Sequence, residues 1–284
     1  MDVEVELKEK EKARRAKTNR RKDWLPITVG LAASLMGLFL LLPFMGLLWR
    51  TGSVGVTAAV AEPSLFMAVW LSFGTTAVSV LLTFAFGTPL AFVLARRQFP
   101  LKRLLTLFVE LPIVMPPVVA GLALLSAFGR RGLLGGLLAS VGVTVPFTIT
   151  AVVLAQLFVS APFYIRAAQS HFASLPRVYE DAAAVDGATS WQSFRYVILP
   201  QSYRAMMSGL LLSWARALGE FGATILFAGN LQGSTQTMPL LVYGALERDL
   251  GVTFPTASIL MGLALLLFGL TRWLAGLENE EGWG

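Results

Sequence analysis

Two groups of polar residues interrupt an otherwise apolar chain. Arg216 and Glu220 stand four residues apart in SWARALGEFGATILFAGN, which puts them on one face of a helix. Charges at membrane depth are costly and are held by pairing, by burial inside the protein or by a polar cavity. The pair therefore reads as a packing element, as part of a permeation path or gate, or as a contact between subunits. The second group is residues 179–200, YEDAAAVDGATSWQSFRYVILP, a polar and charged stretch between very hydrophobic neighbours. Asp181 and Asp186 lie within it, yet nothing encloses them as a hydrolytic pair requires. His171 is the only histidine and has no second metal-binding partner near it, so it reads as an ordinary loop or packing residue. The chain has no cysteine, which closes disulfide, thiolate-metal and cysteine-nucleophile chemistry. It has no GxxxxGK[ST] phosphate loop either, so ATP hydrolysis would need another subunit.

The elements that must position these residues are membrane helices. Of 284 residues, 55% are hydrophobic and 14% charged, against roughly 25% charged in soluble domains. Stretches free of formal charge cover 24–49, 63–95, 111–129, 132–165, 221–246 and 250–271. Each approaches the roughly 20 residues that a helix needs to cross a hydrocarbon core. None shows the alternating segments of a transmembrane barrel. The expected class is an all-α polytopic membrane protein with six transmembrane helices, at 25–49, 65–94, 104–128, 137–159, 205–228 and 254–273. The first is too long for a cleaved signal and ends in WRTG, so it reads as a retained span.

Basic residues set the orientation. They concentrate in ARRAKTNRRK before the first span, at Arg96, Arg97, Lys102 and Arg103 after the second, and at Arg166, Arg177, Arg195 and Arg204 after the fourth. That bias places both termini and the link between spans four and five in the cytoplasm, with Arg130 and Arg131 a minor exception. The formal charge of +6 is thereby used at the ends of spans, and no nucleic-acid partner is expected. The organisation is a cytoplasmic tail over 1–23, a permease domain over 24–275 with its cytoplasmic insert at about 166–203, and a cytoplasmic tail over 276–284. In LPIVMPPVVAG, three prolines fall inside the third span, where each removes a backbone donor. They either bend the helix for packing or kink a helix that lines a path or moves during transport. Glu110, near the cytoplasmic edge of that span, either snorkels or finds a basic partner.

Within 179–200, DAAAVDG starts with an acid near a helix N-terminus and continues with small side chains that leave a slim surface. Gly187 allows a sharp exit, and a second short helix, SWQSFRYV, leads to Leu199 and Pro200. Two short helices at a bend make a compact knob on the cytoplasmic face, suited to a groove in a partner.

This segment resembles the signature of the permease subunits of ATP-binding-cassette importers: EAA, three residues, G, nine residues, then I, one residue and LP. Here it reads Asp181, Ala182, Ala183, three residues, Gly187, nine residues, Val197, Ile198, Leu199 and Pro200. Asp181 replaces the usual glutamate, although Glu180 precedes it, and Val197 replaces isoleucine. The strings VELPIVMPPVVAGLALL, RALGEFGATILFAGN and TQTMPLLVYGALE are similar to those of the molybdate and sulfate permeases, with molybdate the nearer.

The resemblance implies a type I importer permease of a bacterial or archaeal cytoplasmic (inner) membrane. It would pair with a second copy of itself and seat its knobs on two copies of a cytoplasmic ATPase. ATP and magnesium would belong to those ATPase subunits, and this chain would hold no cofactor. An extracytoplasmic molybdate-binding protein would deliver molybdate as the transported substrate. Asp181, Ala182, Ala183 and Gly187 would carry coupling, with Leu199 and Pro200 setting the return to the membrane. Arg216, Glu220, Thr235, Gln236, Thr237 and Pro239 would serve the path, the gate or the outer docking surface, and no residue would be catalytic. Sulfate, thiosulfate or tungstate is the alternative cargo. A different machine, an ion-coupled transporter or channel, would use the insert only as a regulatory loop.

Overall fold

Proline and glycine decide where the helices of this protein stop. The structure, a computed structural model, describes the backbone of residues 2–280 and the side chains of 28–57, 59–266, 268 and 269. It divides into two compact units, the first ending at Gly55 and the second starting at Val56. The first unit is dominated by one helix, α1 (Asp2–Val54), which is helical through the stretch read above as a tail. Leu35, Phe39 and Leu42 on α1 are exposed, as apolar side chains are when lipid is their solvent.

The second unit opens with α2 (Thr57–Val60) and α3 (Leu65–Arg96), followed by α4 (Lys102–Val114), α5 (Pro117–Phe128), α6 (Gly135–Ser140) and α7 (Ile149–Ser174). Then come α8 (Val178–Val185), α9 (Ser190–Ser193), a π-helical turn (Phe194–Ile198) and α10 (Leu199–Leu218). The chain finishes with α11 (Gly222–Phe227), α12 (Met238–Arg248) and α13 (Leu250–Glu280).

The expectation of six spans is corrected here. Among the described residues, three helices are long and apolar enough to cross a membrane: Thr28–Val54, Leu65–Arg96 and Ile149–Ser174. Pro117–Phe128 and Leu250–Leu266 are apolar but shorter. The physical reasons are local. The expected span 104–128 splits because Pro116 and Pro117 drive Met115 (ψ 131°) and Pro116 (ψ 134°) into extended conformations, so one helix ends at Val114 and another starts at Pro117. The expected span 137–159 is cut by Gly142 (φ 72°) and Phe147 (φ 63°), and the real helix runs from Ile149 to Ser174. His171 consequently sits in the last turn of α7 rather than in a link. The expected span 205–228 breaks at Gly219–Phe221, leaving α10 and the short α11.

The second unit is built around α3 and α7, with α10 packed on α7 and α5 packed on α11. One apolar cluster joins Leu124, Val152, Val159 and Phe227; a second joins Leu94, Tyr164, Phe172, Phe194 and Ile198. Between α3 and α7 runs a buried polar seam. Ser72, Thr75, Thr76, Ser79 and Thr83 lie along one side of α3. Ser79 Oγ donates to the Val153 carbonyl at 3.0 Å, and Gln156 Nε2 donates to Thr76 Oγ1 at 3.2 Å. Ser213 Oγ of α10 donates to the Ser160 carbonyl at 3.1 Å. Such bonds contribute about 0.6 kcal/mol each between membrane helices, and they fix register more than they add stability. At the α5–α11 crossing Gly222 meets Pro117 so closely that a Cβ there would lie 2.5 Å from Pro117 Cβ.

Candidate functional site

The bend at 178–200 is built by backbone hydrogen bonds that only a left-handed residue can complete. α8 carries Glu180 and Asp181 in its first turn, where carboxylates favour the free amides. At its end the Gly187 amide donates to the Ala184 carbonyl at 3.0 Å and the Ala188 amide to the Ala183 carbonyl at 2.9 Å. These two bonds are a Schellman closure with Gly187 at its left-handed position, φ 81°. Thr189 then starts α9 with a capping box: its Oγ1 accepts from the Gln192 amide, and the Gln192 side chain accepts from the Thr189 amide at 2.8 Å. The second short helix does not stop before the next long helix. It passes through the π-helical turn into α10, with Pro200 in the first turn, where a missing amide costs nothing.

The two acids at the start of the bend have different tasks. Glu180 pairs with Arg96 at the end of α3, Oε1 to Nη2 at 2.8 Å, and the same guanidinium donates to the Leu175 carbonyl at 3.0 Å. Asp181 is exposed, as are Ala182 and Gly187, whereas Ala183 and Leu199 are half-buried and Pro200 is exposed. Ile198 is completely buried beside Phe194 in the core under the bend. Val185 is 87% exposed, and Trp191 and Tyr196 also stand clear of the chain. Exposed apolar and aromatic groups around small side chains suit a protein partner.

Arg216 and Glu220 meet at 2.6 Å. Glu220 lies beyond the end of α10, is 1% exposed, and accepts the Ala223 amide on Oε1 at 2.8 Å. It therefore ties the end of α10 to the first turn of α11, and one carboxylate holds the break between two helix pieces. Glu110 finds Arg166 of α7 at 3.4 Å, both partly exposed.

Thr235, Gln236 and Thr237 are buried in the loop before α12. Thr235 Oγ1 accepts the Leu231 amide at 3.1 Å, and Gln236 Nε2 donates to Asn230 Oδ1 at 3.0 Å. The Met238 amide donates to Ser72 Oγ of α3 at 2.7 Å, so the loop is anchored to the polar seam. Pro239 starts α12 and lines an apolar cavity of about 530 Å³ with Ala215, Leu218 and Gly219. Neither Arg216 nor Glu220 lines that cavity, nor do Thr235, Gln236 and Thr237. Among the described residues no group of three or more His, Cys, Asp or Glu side chains is placed to hold a metal.

The sequence reading missed the Arg96 ion pair and the seam on α3. The seam had a visible signal, hydroxyl residues recurring at helical spacing in SFGTTAVSVLLT. Nothing in the sequence connects Arg96 with Glu180, which are brought together only when α7 returns beside α3.

Residues 87–276 match the family described as "Binding-protein-dependent transport system inner membrane component". This chain belongs to that family. Membership makes it a membrane transport permease rather than an enzyme. It is 40% identical over 243 residues to the molybdenum transport system permease protein of Mycobacterium bovis, covering 86% of this chain and 90% of that protein. It is 36% identical over 257 residues to a sulfate transport system permease protein of Synechococcus elongatus, covering 88% and 90%. Among solved structures it is similar in fold to a bacterial ABC transporter involved in import of the acidic polysaccharide alginate, with TM-score 0.72, 17% identity and coverage of 92% of this chain and 98% of that one.

Proposed function

We propose that this chain is the permease subunit of an ATP-driven importer whose cargo is molybdate. A separate ATPase powers it by seating on the 178–200 bend, and a binding protein delivers the anion on the opposite side. The bend then faces the cytoplasm, and two copies of the chain enclose the path between two ATPase subunits carrying ATP and magnesium. The observation that carries the coupling role is the bend itself. Its glycine-closed turn holds small residues at the surface with Asp181, which has no ion pair among the described residues, while Arg96–Glu180 and the Phe194–Ile198 core fasten its base to α3 and α7. Such a knob transmits force because its base is rigid and its tip is free to dock. In this reading Arg216 and Glu220 hold the α10–α11 break beside the path, and Thr235 to Pro239 shape its outer end.

The molybdate assignment is supported by the 40% identity to the molybdenum permease. The 36% identity to a sulfate permease supports a second reading, sulfate or tungstate as cargo, because tetrahedral dianions differ little in charge. The test is uptake of radiolabelled molybdate and sulfate into vesicles holding this chain, its ATPase and its binding protein. ATP-dependent molybdate uptake that excess sulfate does not inhibit is expected. Sulfate uptake indifferent to excess molybdate would overturn the molybdate assignment.

A further inference from the structure

Beside the bend, between the end of α3 and the α8–α9 pair, lies a cavity of about 310 Å³ to which the transport reading assigns no ligand. Three guanidinium groups line it, Arg96, Arg97 and Arg177, together with Glu180, Asp181 and Ser193. Arg96 commits Nη2 to Leu175 and Glu180, but its Nε is buried without a hydrogen-bond partner. Ser193 is 8% exposed and its Oγ is also buried without a partner. Arg97 and Arg177 have no ion pair among the described residues. A buried donor left without an acceptor is destabilising, so a cavity that gathers two of them, Arg96 Nε and Ser193 Oγ, beside two further guanidinium groups favours an anionic acceptor. At about 30 Å³ per water, it has room for roughly ten waters, enough for a small hydrated anion.

We propose that this cavity binds a phosphate group in its monoprotonated form. The guanidinium groups and the Ser193 hydroxyl supply donors to the ionised oxygens, and planar guanidinium forks match that geometry. Asp181 supplies an acceptor for the remaining P–OH. A fully ionised sulfate offers no proton to that carboxylate and is repelled by it, so the mixed lining selects hydrogen phosphate over sulfate. A bound phosphate bridges α3 to the base of the bend, which makes it a brace on the element proposed to couple transport. The site stands independently of the cargo. The coupling role rests on the proposed function, but binding does not.

The same phosphate chemistry is available from free phosphate and from a lipid phosphomonoester at the membrane surface. The test uses the full chain in phosphatidylcholine nanodiscs, open on both faces, so it needs neither an orientation nor ATP. Equilibrium dialysis with radiolabelled inorganic phosphate is expected to show saturable binding, tighter for phosphate than for sulfate. Arg97→Gln with Arg177→Gln is expected to weaken it about tenfold or more, the scale of lost charge-assisted hydrogen bonds. Arg130→Gln, outside the cavity, is expected to leave it unchanged. If the double variant does not fold, Ser193→Ala removes only the hydroxyl and is expected to weaken binding about threefold to tenfold. Competition by phosphatidic acid added to the nanodiscs identifies the lipid as a source; its absence identifies free phosphate. No saturable phosphate binding, equal binding of sulfate, or binding unchanged in the cavity variants would overturn the proposal.

Discussion

Replacing Gly187 tests the bend with little steric complication. Among the described residues, no atom other than the immediate neighbours lies within 4 Å of where a Cβ would sit, so an added methyl meets open space. What remains is backbone strain. Gly187 has φ 81°, and holding a residue with a Cβ in that region costs about 1–2 kcal/mol. Alanine also lowers the entropy of the opened chain, which offsets about 0.5 kcal/mol of that strain. The net effect for Gly187→Ala is about 1 kcal/mol, or about a fivefold rise in the population with the turn open. Asparagine tolerates the left-handed region and should lose less; valine, β-branched, should lose more. The Gly187 and Ala188 amides close the turn, so their hydrogen exchange reports opening directly, in nanodiscs and without a partner. In the assembled transporter the same order, Gly and Asn above Ala above Val, is expected for anion imported per ATP hydrolysed, with membrane insertion unaffected. Gly187→Val with normal exchange would refute the strain argument. Faster exchange with normal coupled uptake would instead remove the mechanical role of the bend.

Removing Arg216 leaves Glu220, 1% exposed, as a buried charge without its partner. Loss of one partner from a fully buried pair costs roughly 3–5 kcal/mol; with the guanidinium side chain 29% exposed, about 2–3 kcal/mol is expected for Arg216→Ala. Thermal unfolding should show Glu220→Gln, which can still accept the Ala223 amide, melting above both Arg216→Ala and Glu220→Ala; equal melting of all three would discard the pairing argument. Gly222→Val places side-chain atoms where a Cβ alone is already 2.5 Å from Pro117, so the α5–α11 crossing must separate, at about 1–3 kcal/mol or more. A Tm indistinguishable from that of the unaltered chain would show that the crossing is looser than described.

The bend was legible in the sequence because its information is local. A carboxylate near a helix start, a run of alanines and a glycine at the left-handed position all act within a few residues and are found in place, and the Thr189–Gln192 capping box adds an equally local signal that the sequence reading missed. The span count was not legible, because hydropathy averages over the residues that break helices. Pro116 and Pro117 lie inside an apolar run, as do Gly142 and Phe147, and a window that sums their apolar character passes over their backbone consequences. The proline run, expected to bend or kink one span, ends one helix and starts the next. The Arg96–Glu180 pair spans 84 positions of sequence and follows only from α3 and α7 lying side by side.

The broken helices and the buried hydrogen bonds have one cause. Where a helix ends inside an apolar unit, its free amides and carbonyls must be satisfied by something other than water. The break after α10 is met by the Glu220 carboxylate on the Ala223 amide. The start of α12 is met by Ser72 on the Met238 amide and by the Asn230 side chain, which donates to the Leu240 carbonyl, and the loop before it by Thr235 on the Leu231 amide. In this light Glu220, Thr235 and the FAGN and TQTMPL strings hold helix breaks first, whatever else they do. Any gate built here must open by exchanging those partners, because leaving a buried amide bare costs about 1–3 kcal/mol. A gate that moved α11 while Glu220 stayed bonded to Ala223 would have to carry the end of α10 with it, which joins the far end of that helix mechanically to the bend from which it starts.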